Sequence, residues 1–167
     1  MEHIELFNGL NFDQRNIYDV VIDSALRNKG DFLFVYGHGR TMKTYIWKTV
    51  ICRLRLKGKI VIVVATSRTT ALLLPGGRMT HSRFQIPIIV TDRSTCGIKQ
   101  GSQIAEVMTK ASLIIWDEAP MVYRNCFEAV DRSLSDILHF TSSDSGDKPF
   151  GGKTVVLGGD LDKYFRW

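Results

Sequence analysis

Apolar positions along the chain follow two rhythms. Between about Asp13 and Arg27, Ile17, Val20, Val21 and Ala25 recur at helical spacing and predict one buried helix face. "DFLFVYG" (Asp31 to Gly37) is a short apolar run that closes on glycine, the pattern of a buried strand. Lys43 to Leu56 reads as a helix, with Gly58 as its stop. "KIVIVVATS" (Lys59 to Ser67) and "SLIIWDEAP" (Ser112 to Pro120) are two more apolar strands. Phe127, Val130, Leu134, Ile137 and Leu138 mark a further helix, and "GKTVVLGGD" (Gly152 to Asp160) a fourth strand. "TSSDSGDKPFGG" (Thr141 to Gly152) reads as a polar, mobile loop. Strands apolar on both sides, alternating with helices, predict an α/β fold with a mostly parallel sheet flanked by helices. No internal repeat and no second domain is visible.

Composition narrows the class. The 167 residues are 44% hydrophobic and 23% charged, a globular balance with enough chain for one core. "MEHIELFNG" lacks a basic region followed by an apolar one, and runs such as "IVIVVA" are too short to span a bilayer. Cys52, Cys96 and Cys126 lie far apart without metal-ligand spacing, so they are expected to be incidental thiols. Charge says more. Phe32 to Thr91 holds ten basic residues and no acid, while the remainder holds all seventeen acids and balances at −5 within a net charge of +5. That asymmetry fits a polyanionic partner, nucleotide or nucleic acid, or else a solvated basic helix face.

Three motifs fall at the carboxyl ends of predicted strands, where open α/β sheets bind ligands. "GHGRTMKT" matches G-x-x-x-x-G-K-[ST] at Gly37, Lys43 and Thr44. In such a loop backbone N–H groups wrap phosphate oxygens, the lysine reaches the β- and γ-phosphates, and the hydroxyl holds Mg²⁺. Met42 occupies the position of the second glycine, where a Cβ crowds the phosphates. "LIIWDEAP" delivers Asp117 and Glu118 to a strand end. The first suits a Mg²⁺ ligand and the second a base for an attacking water, although such a pair also caps helices. "VVLGGD" places Asp160 likewise, and Gly-Gly-Asp also makes an ordinary turn.

Together with "ALLLPGGRMTHSRFQIP", "LIIWDEAPM", "FEAVDRSLSDI" and "PFGGKTVVLGGD", these motifs resemble the amino-terminal RecA-like motor domain of the petite-integration-frequency (Pif) DNA helicases, above all the plant and helitron-like set. The resemblance runs from "LNFDQRNIYD" to "VVLGGD". It implies a RecA-like P-loop NTPase fold, ATP and Mg²⁺ as cofactors, single-stranded DNA as partner, and ATP-dependent 5′ to 3′ unwinding. It also implies a nuclear protein serving DNA repair, recombination and telomere maintenance.

By matching positions, Gln14 reads adenine, and Gly37, Gly39, Thr41, Lys43 and Thr44 form the phosphate loop. Thr44 and Asp117 hold Mg²⁺, Lys43, Asp117, Glu118 and Asp160 serve catalysis, and Gly159 with Asp160 couples nucleotide state to DNA. Thr66, Ser67 and Arg68, in the segment Thr66 to Ala71, and His81, Arg83 and Phe84 lie where the family contacts single-stranded DNA. Arg68, Arg78 and Arg83 suit phosphates. Phe84 or His81 suits stacking on a base, and Phe84 equally suits core packing. The family octet usually reads GPGGTGKT, so His38, Arg40 and Met42 depart from it, and Lys163 replaces a glutamine that helps hold the γ-phosphate. Because the family continues into a second RecA-like domain, residues 1–167 are expected to be a single-domain fragment. Two functions follow: a helicase motor domain, or an inactive remnant that at most binds nucleotide or single-stranded DNA.

Overall fold

A computed structural model describes residues 1–37, 40–139 and 147–160, and the side chains of these except at positions 40 and 41. Among the described residues five strands form one sheet: β1 (Phe32–Tyr36), β2 (Ile60–Ala65), β3 (Arg78–Met79), β4 (Ala111–Asp117) and β5 (Val155–Gly159). Their order is β1-β5-β4-β2-β3, and every pair is parallel. The helices are α1 (Glu2–Asn8), α2 (Phe12–Leu26), α3 (Arg40–Leu56), α4 (Arg68–Leu73), α5 (Thr80–Phe84), α6 (Gln103–Lys110) and α7 (Arg124–His139). Short 3-10 turns occupy Ala119–Met121 and Pro149–Gly152.

The two-sided strands build two cores. Successive side chains of a strand point to opposite faces. Leu113 and Ile115 of β4 therefore join Val63, Val156, Trp47, Val50, Ile51 and Leu54 under α2 and α3. Ile114 and Trp116 join Ile62, Val64, Val155 and Leu157 under α6 and α7. α7 supplies Val130, Leu134, Ile137 and Leu138, the helical stripe read from the sequence, and Phe127 packs at its edge.

Three expectations change. Val20 is exposed on α2; Tyr18, Val21, Ile22 and Ala25 are buried instead. The buried face is the one that packs against α3, with Tyr18 edge-on to Phe7 of α1. β1 is not a strand buried on both faces: it lies at the sheet edge, with Phe32, Phe34 and Tyr36 on the exposed side. The end of the expected mobile loop, Pro149–Gly152, is a tight turn that buries Phe150, whose N–H donates to Asp131 Oδ1 at 2.6 Å. Residues 141–146 of that loop lie outside the described residues.

The sequence reading assigns no element between Ser67 and Ser112, where the structure has α4, β3, α5 and α6. Two of the helix starts, those of α4 and α6, are nonetheless chemically marked. Ser67 Oγ accepts the Thr70 N–H at 3.2 Å, and Ser102 Oγ accepts the Ala105 N–H at 3.3 Å. Such caps satisfy N–H groups that a helix start leaves open. The three cysteines are free, and burial pushes the Cys96 thiol up to about 11, which keeps that thiol protonated and unreactive. No helix among the described residues is long and apolar enough to cross a membrane.

Candidate nucleotide and nucleic-acid site

Register brings the strand-end motifs together. Tyr36 pairs with Gly159 and Ala65 with Asp117, so β1, β5, β4 and β2 finish at one edge. Gly37 follows β1 there, Asp117 ends β4, Thr66 follows β2 and Asp160 follows β5. Lys43, on the first turns of α3, is buried, and its Nζ donates to the Gly37 carbonyl. Its charge is felt by Asp117, itself only 3% exposed.

Burial pushes the Asp117 carboxyl above its ordinary range. The Glu118 N–H, which donates to Asp117 Oδ1 at 3.0 Å, pulls it back, as does the Lys43 ammonium, while the Glu118 charge adds to the rise. The Trp47 indole lies on the same carboxylate and also pulls it down, although its N–H meets no acceptor at full hydrogen-bond geometry. A Cβ built on Gly158 would stand 2.8 Å from Asp117 Oδ1 and 3.0 Å from Trp47 Cζ2. On Gly159 it would stand 2.3 Å from Pro120 Cδ. The glycine pair ending β5 thus lets the loop after β4 close over the sheet edge.

Glu118 takes a left-handed backbone, φ 56°, unusual for a side-chain-bearing residue. Its carboxylate turns toward α4. Oε2 accepts the Ser67 N–H at 2.9 Å, and Oε1 accepts the Thr70 hydroxyl at 2.6 Å. The Thr66 hydroxyl donates to the Glu118 carbonyl at 2.9 Å. Two residues expected at DNA, Thr66 and Ser67, are therefore bonded to a residue expected in catalysis.

Elsewhere the expected residues separate. Gln14 is buried in a reciprocal cap: its Oε1 accepts the Asn11 N–H at 2.9 Å, and its own N–H donates to Asn11 Oδ1 at 2.9 Å. Its carbonyl oxygen thus fixes the start of α2. Thr44 and Asp160 are half-buried at the strand edge. Gly39 and Lys163, like the departing His38, lie outside the described residues, as do the side chains of Thr41 and Arg40. Arg68 and His81 are exposed; Arg83 is half-buried, and burial with the neighbouring Arg78 charge holds its guanidinium below the ordinary value. Phe84 corrects the stacking expectation. It is the last residue of α5 and fully buried, its ring 5.4 Å from that of Trp116, so it offers no face to a base.

Trp47 and Gly158 were not singled out from the sequence, and Thr70 fell only within the segment Thr66 to Ala71 expected at DNA. Trp47 was signalled: it stands four positions after Lys43, on the same helix face. A glycine inside a strand also signals close approach. Thr70 carries no such mark.

A lysine-bearing loop after one strand, acids at the ends of two neighbours and helices on both faces of a parallel sheet define a RecA-like P-loop nucleotide-binding domain. The chain belongs to the PIF1-like helicase family, whose model matches residues 9–165. The ATP-dependent DNA helicase PIF4 of Trypanosoma brucei brucei (strain 927/4 GUTat10.1) is 27% identical over an alignment of 161 residues that covers 92% of this chain and 18% of that protein. Bacteroides Pif1 bound to single-stranded DNA superposes with a TM-score of 0.71 at 29% identity, over 91% of this chain and 32% of that one. Pif1 helicase from Bacteroides in complex with ADP-AlF3 and single-stranded DNA gives 0.72 at 29% identity, with the same coverage of 91% and 32%. Pif1 from Candida albicans, at 23% identity and 0.66 over 91% of this chain and 33% of that one, shares the fold. The chain thus spans about a fifth of the curated relative and a third of the solved structures.

Proposed function

We propose that residues 1–167 form one RecA-like motor domain of an ATP-dependent DNA helicase that moves 5′ to 3′ on single-stranded DNA. One observation carries this reading: Lys43 and Asp117 are buried together at the strand edge where the phosphate-loop spacing begins. A nuclear role in repair, recombination and telomere maintenance rests on the family resemblance.

The residues fit Mg²⁺-ATP. The Thr44 hydroxyl and the Asp117 carboxylate are hard oxygen donors, and Mg²⁺ takes its remaining ligands from water and phosphates, so two protein donors suffice. Bound Mg²⁺-ATP supplies the phosphoryl group whose hydrolysis drives the motor. Around it, Lys43 neutralises phosphate charge, Gly158 leaves room at Asp117, and Glu118 becomes the base for water once it leaves its α4 donors. Arg68, Arg78 and Arg83 offer cations to DNA phosphates.

Calorimetry with Mg²⁺-ATP, with and without single-stranded DNA, tests the reading: binding is expected for the natural chain and lost in Lys43→Ala. Equal affinity in the two would overturn it. DNA affinity is expected to fall steeply with salt, as counterion release requires.

The second reading, a domain that binds without turnover, is favoured by Met42, half-exposed at the start of α3 where the family has glycine, and by the engagement of Glu118 with α4. Binding of ATP without phosphate release in the presence of DNA selects it.

A further inference from the structure

Glu118 does not simply project from β4 into the site. Both carboxylate oxygens are held from one side, by the Ser67 N–H and the Thr70 hydroxyl. The holding group is itself organised. Ser67 Oγ accepts the Thr70 N–H at 3.2 Å and donates to Thr70 Oγ1 at 3.1 Å, which orients the Thr70 hydroxyl proton toward Glu118. Thr70 is 1% exposed, so this bond is shielded from water. A third bond, from the Thr66 hydroxyl to the Glu118 carbonyl, pins the backbone on the same side. Between Ser67 and Thr70 the chain exposes Arg68 and Thr69 to solvent. One turn of chain therefore carries an outward cation and, on its inner side, the donors that fix the carboxylate.

We infer that Thr70 is a positioning residue for Glu118, and that the turn Thr66–Thr70 is the lever through which single-stranded DNA acts on that carboxylate. The inference rests on the helicase reading for the identity of the outer ligand. A phosphate drawn to Arg68 moves the turn. The Ser67 N–H and the Thr70 hydroxyl lie two or fewer residues away, so they move with it, and Glu118 exchanges protein donors for the water it serves. With no DNA bound, the carboxylate stays directed at α4 and is withheld from the nucleotide.

The test follows the Glu118 carboxyl carbon by NMR in the whole 167-residue chain, labelled with ¹³C at glutamate and assigned by the signal lost in Glu118→Gln. Oligothymidylate of about twelve nucleotides, within the usual footprint of single-strand-binding grooves, is the probe. Its binding is followed in parallel by fluorescence anisotropy. Oligothymidylate is expected to shift the Glu118 carbon in the natural chain. Thr70→Val, nearly equal in volume, is expected to shift it without DNA and to abolish the further DNA-dependent change. Thr70→Ser, which keeps the hydroxyl, is expected to restore both. A valine variant with an unshifted signal overturns the positioning role. Bound oligothymidylate with no shift in the natural chain overturns the lever, and this arm needs no variant to fold. Mg²⁺-ATP binding measured on the same samples separates the two claims: its absence with the DNA-dependent shift intact refutes the helicase reading and leaves the lever standing.

Discussion

Gly158→Ala is the sharpest perturbation of the site because it adds one carbon and removes nothing. That carbon would sit 2.8 Å from Asp117 Oδ1, 3.0 Å from Trp47 Cζ2 and 3.5 Å from Trp47 Cε2. Favourable carbon contacts lie at about 3.5–4.0 Å, so the indole must retreat by roughly half an ångström, and the carboxylate must move too. Neither has free space: Trp47 is fully buried and Asp117 nearly so. Gly158 has an ordinary backbone conformation, so the penalty is steric rather than conformational. Overpacking of this kind costs about 1–3 kcal/mol. At about 2–4 °C per kcal/mol for a domain of this size, the midpoint of thermal unfolding should fall by roughly 2–12 °C. Mg²⁺-dependent ATP affinity should fall with it, because the displaced group is the carboxylate proposed to hold Mg²⁺. Circular dichroism melts and calorimetry read the two effects. Gly97→Ala is the control: its Cβ would meet nothing closer than Gln85 Oε1 at 3.5 Å, an ordinary contact. A Gly158→Ala variant that melts within 1 °C of the parent and binds ATP equally well would refute the close-packed floor.

Three further outcomes are expected. Phe84→Ala should cost about 3–5 kcal/mol as a cavity in the core beside Trp116, read as a lowered melting temperature; unchanged stability with weakened DNA binding would reverse the assignment of Phe84 to the core. Asp117→Asn should raise stability at neutral pH while losing Mg²⁺-dependent ATP binding. A carboxyl raised above its ordinary 3.8 keeps a proton that the unfolded chain releases, so the parent loses stability as pH climbs from 3.8 through the raised value, and asparagine does not. Melts across pH should show the gap closing below 3.8; a gap that widens on acidification sinks the sign of the argument. Met42→Gly should tighten ATP binding by removing a side chain at the phosphates, while costing about 1 kcal/mol of helix propensity; calorimetry showing equal or weaker affinity rejects the steric claim.

The elements legible from sequence were those whose two faces are both buried. β2, β4 and β5 read as unbroken apolar runs because helices cover both sides of the sheet, and α7 read clearly because its stripe faces one core. β1 looked the same on paper, since an edge position leaves no trace in a five-residue apolar run. The short pieces from α4 to α5 escaped because five or six residues complete too few turns to display a period. Of the site, Lys43 and Asp117 were legible because motif spacing and strand ends fix them. Phe84 was ambiguous because an aromatic beside a basic residue suits DNA and core alike; only its contact with Trp116 decides. Thr70 was illegible because its partner, Glu118, is 48 residues away and the two meet only when β2 and β4 pair.

The edge position of β1 has a mechanical side. Among the described residues its outer row of N–H and C=O groups pairs with no strand, and Phe32, Phe34 and Tyr36 stand exposed beside it. The opposite edge, β3, is two residues long and offers little to pair with. Growth of the sheet is thus directed to one side. Any strand added there would run alongside the approach to Gly37, so stiffening that border would stiffen the anchor from which the phosphate loop departs. Filling the edge and firming the nucleotide site would then be one event.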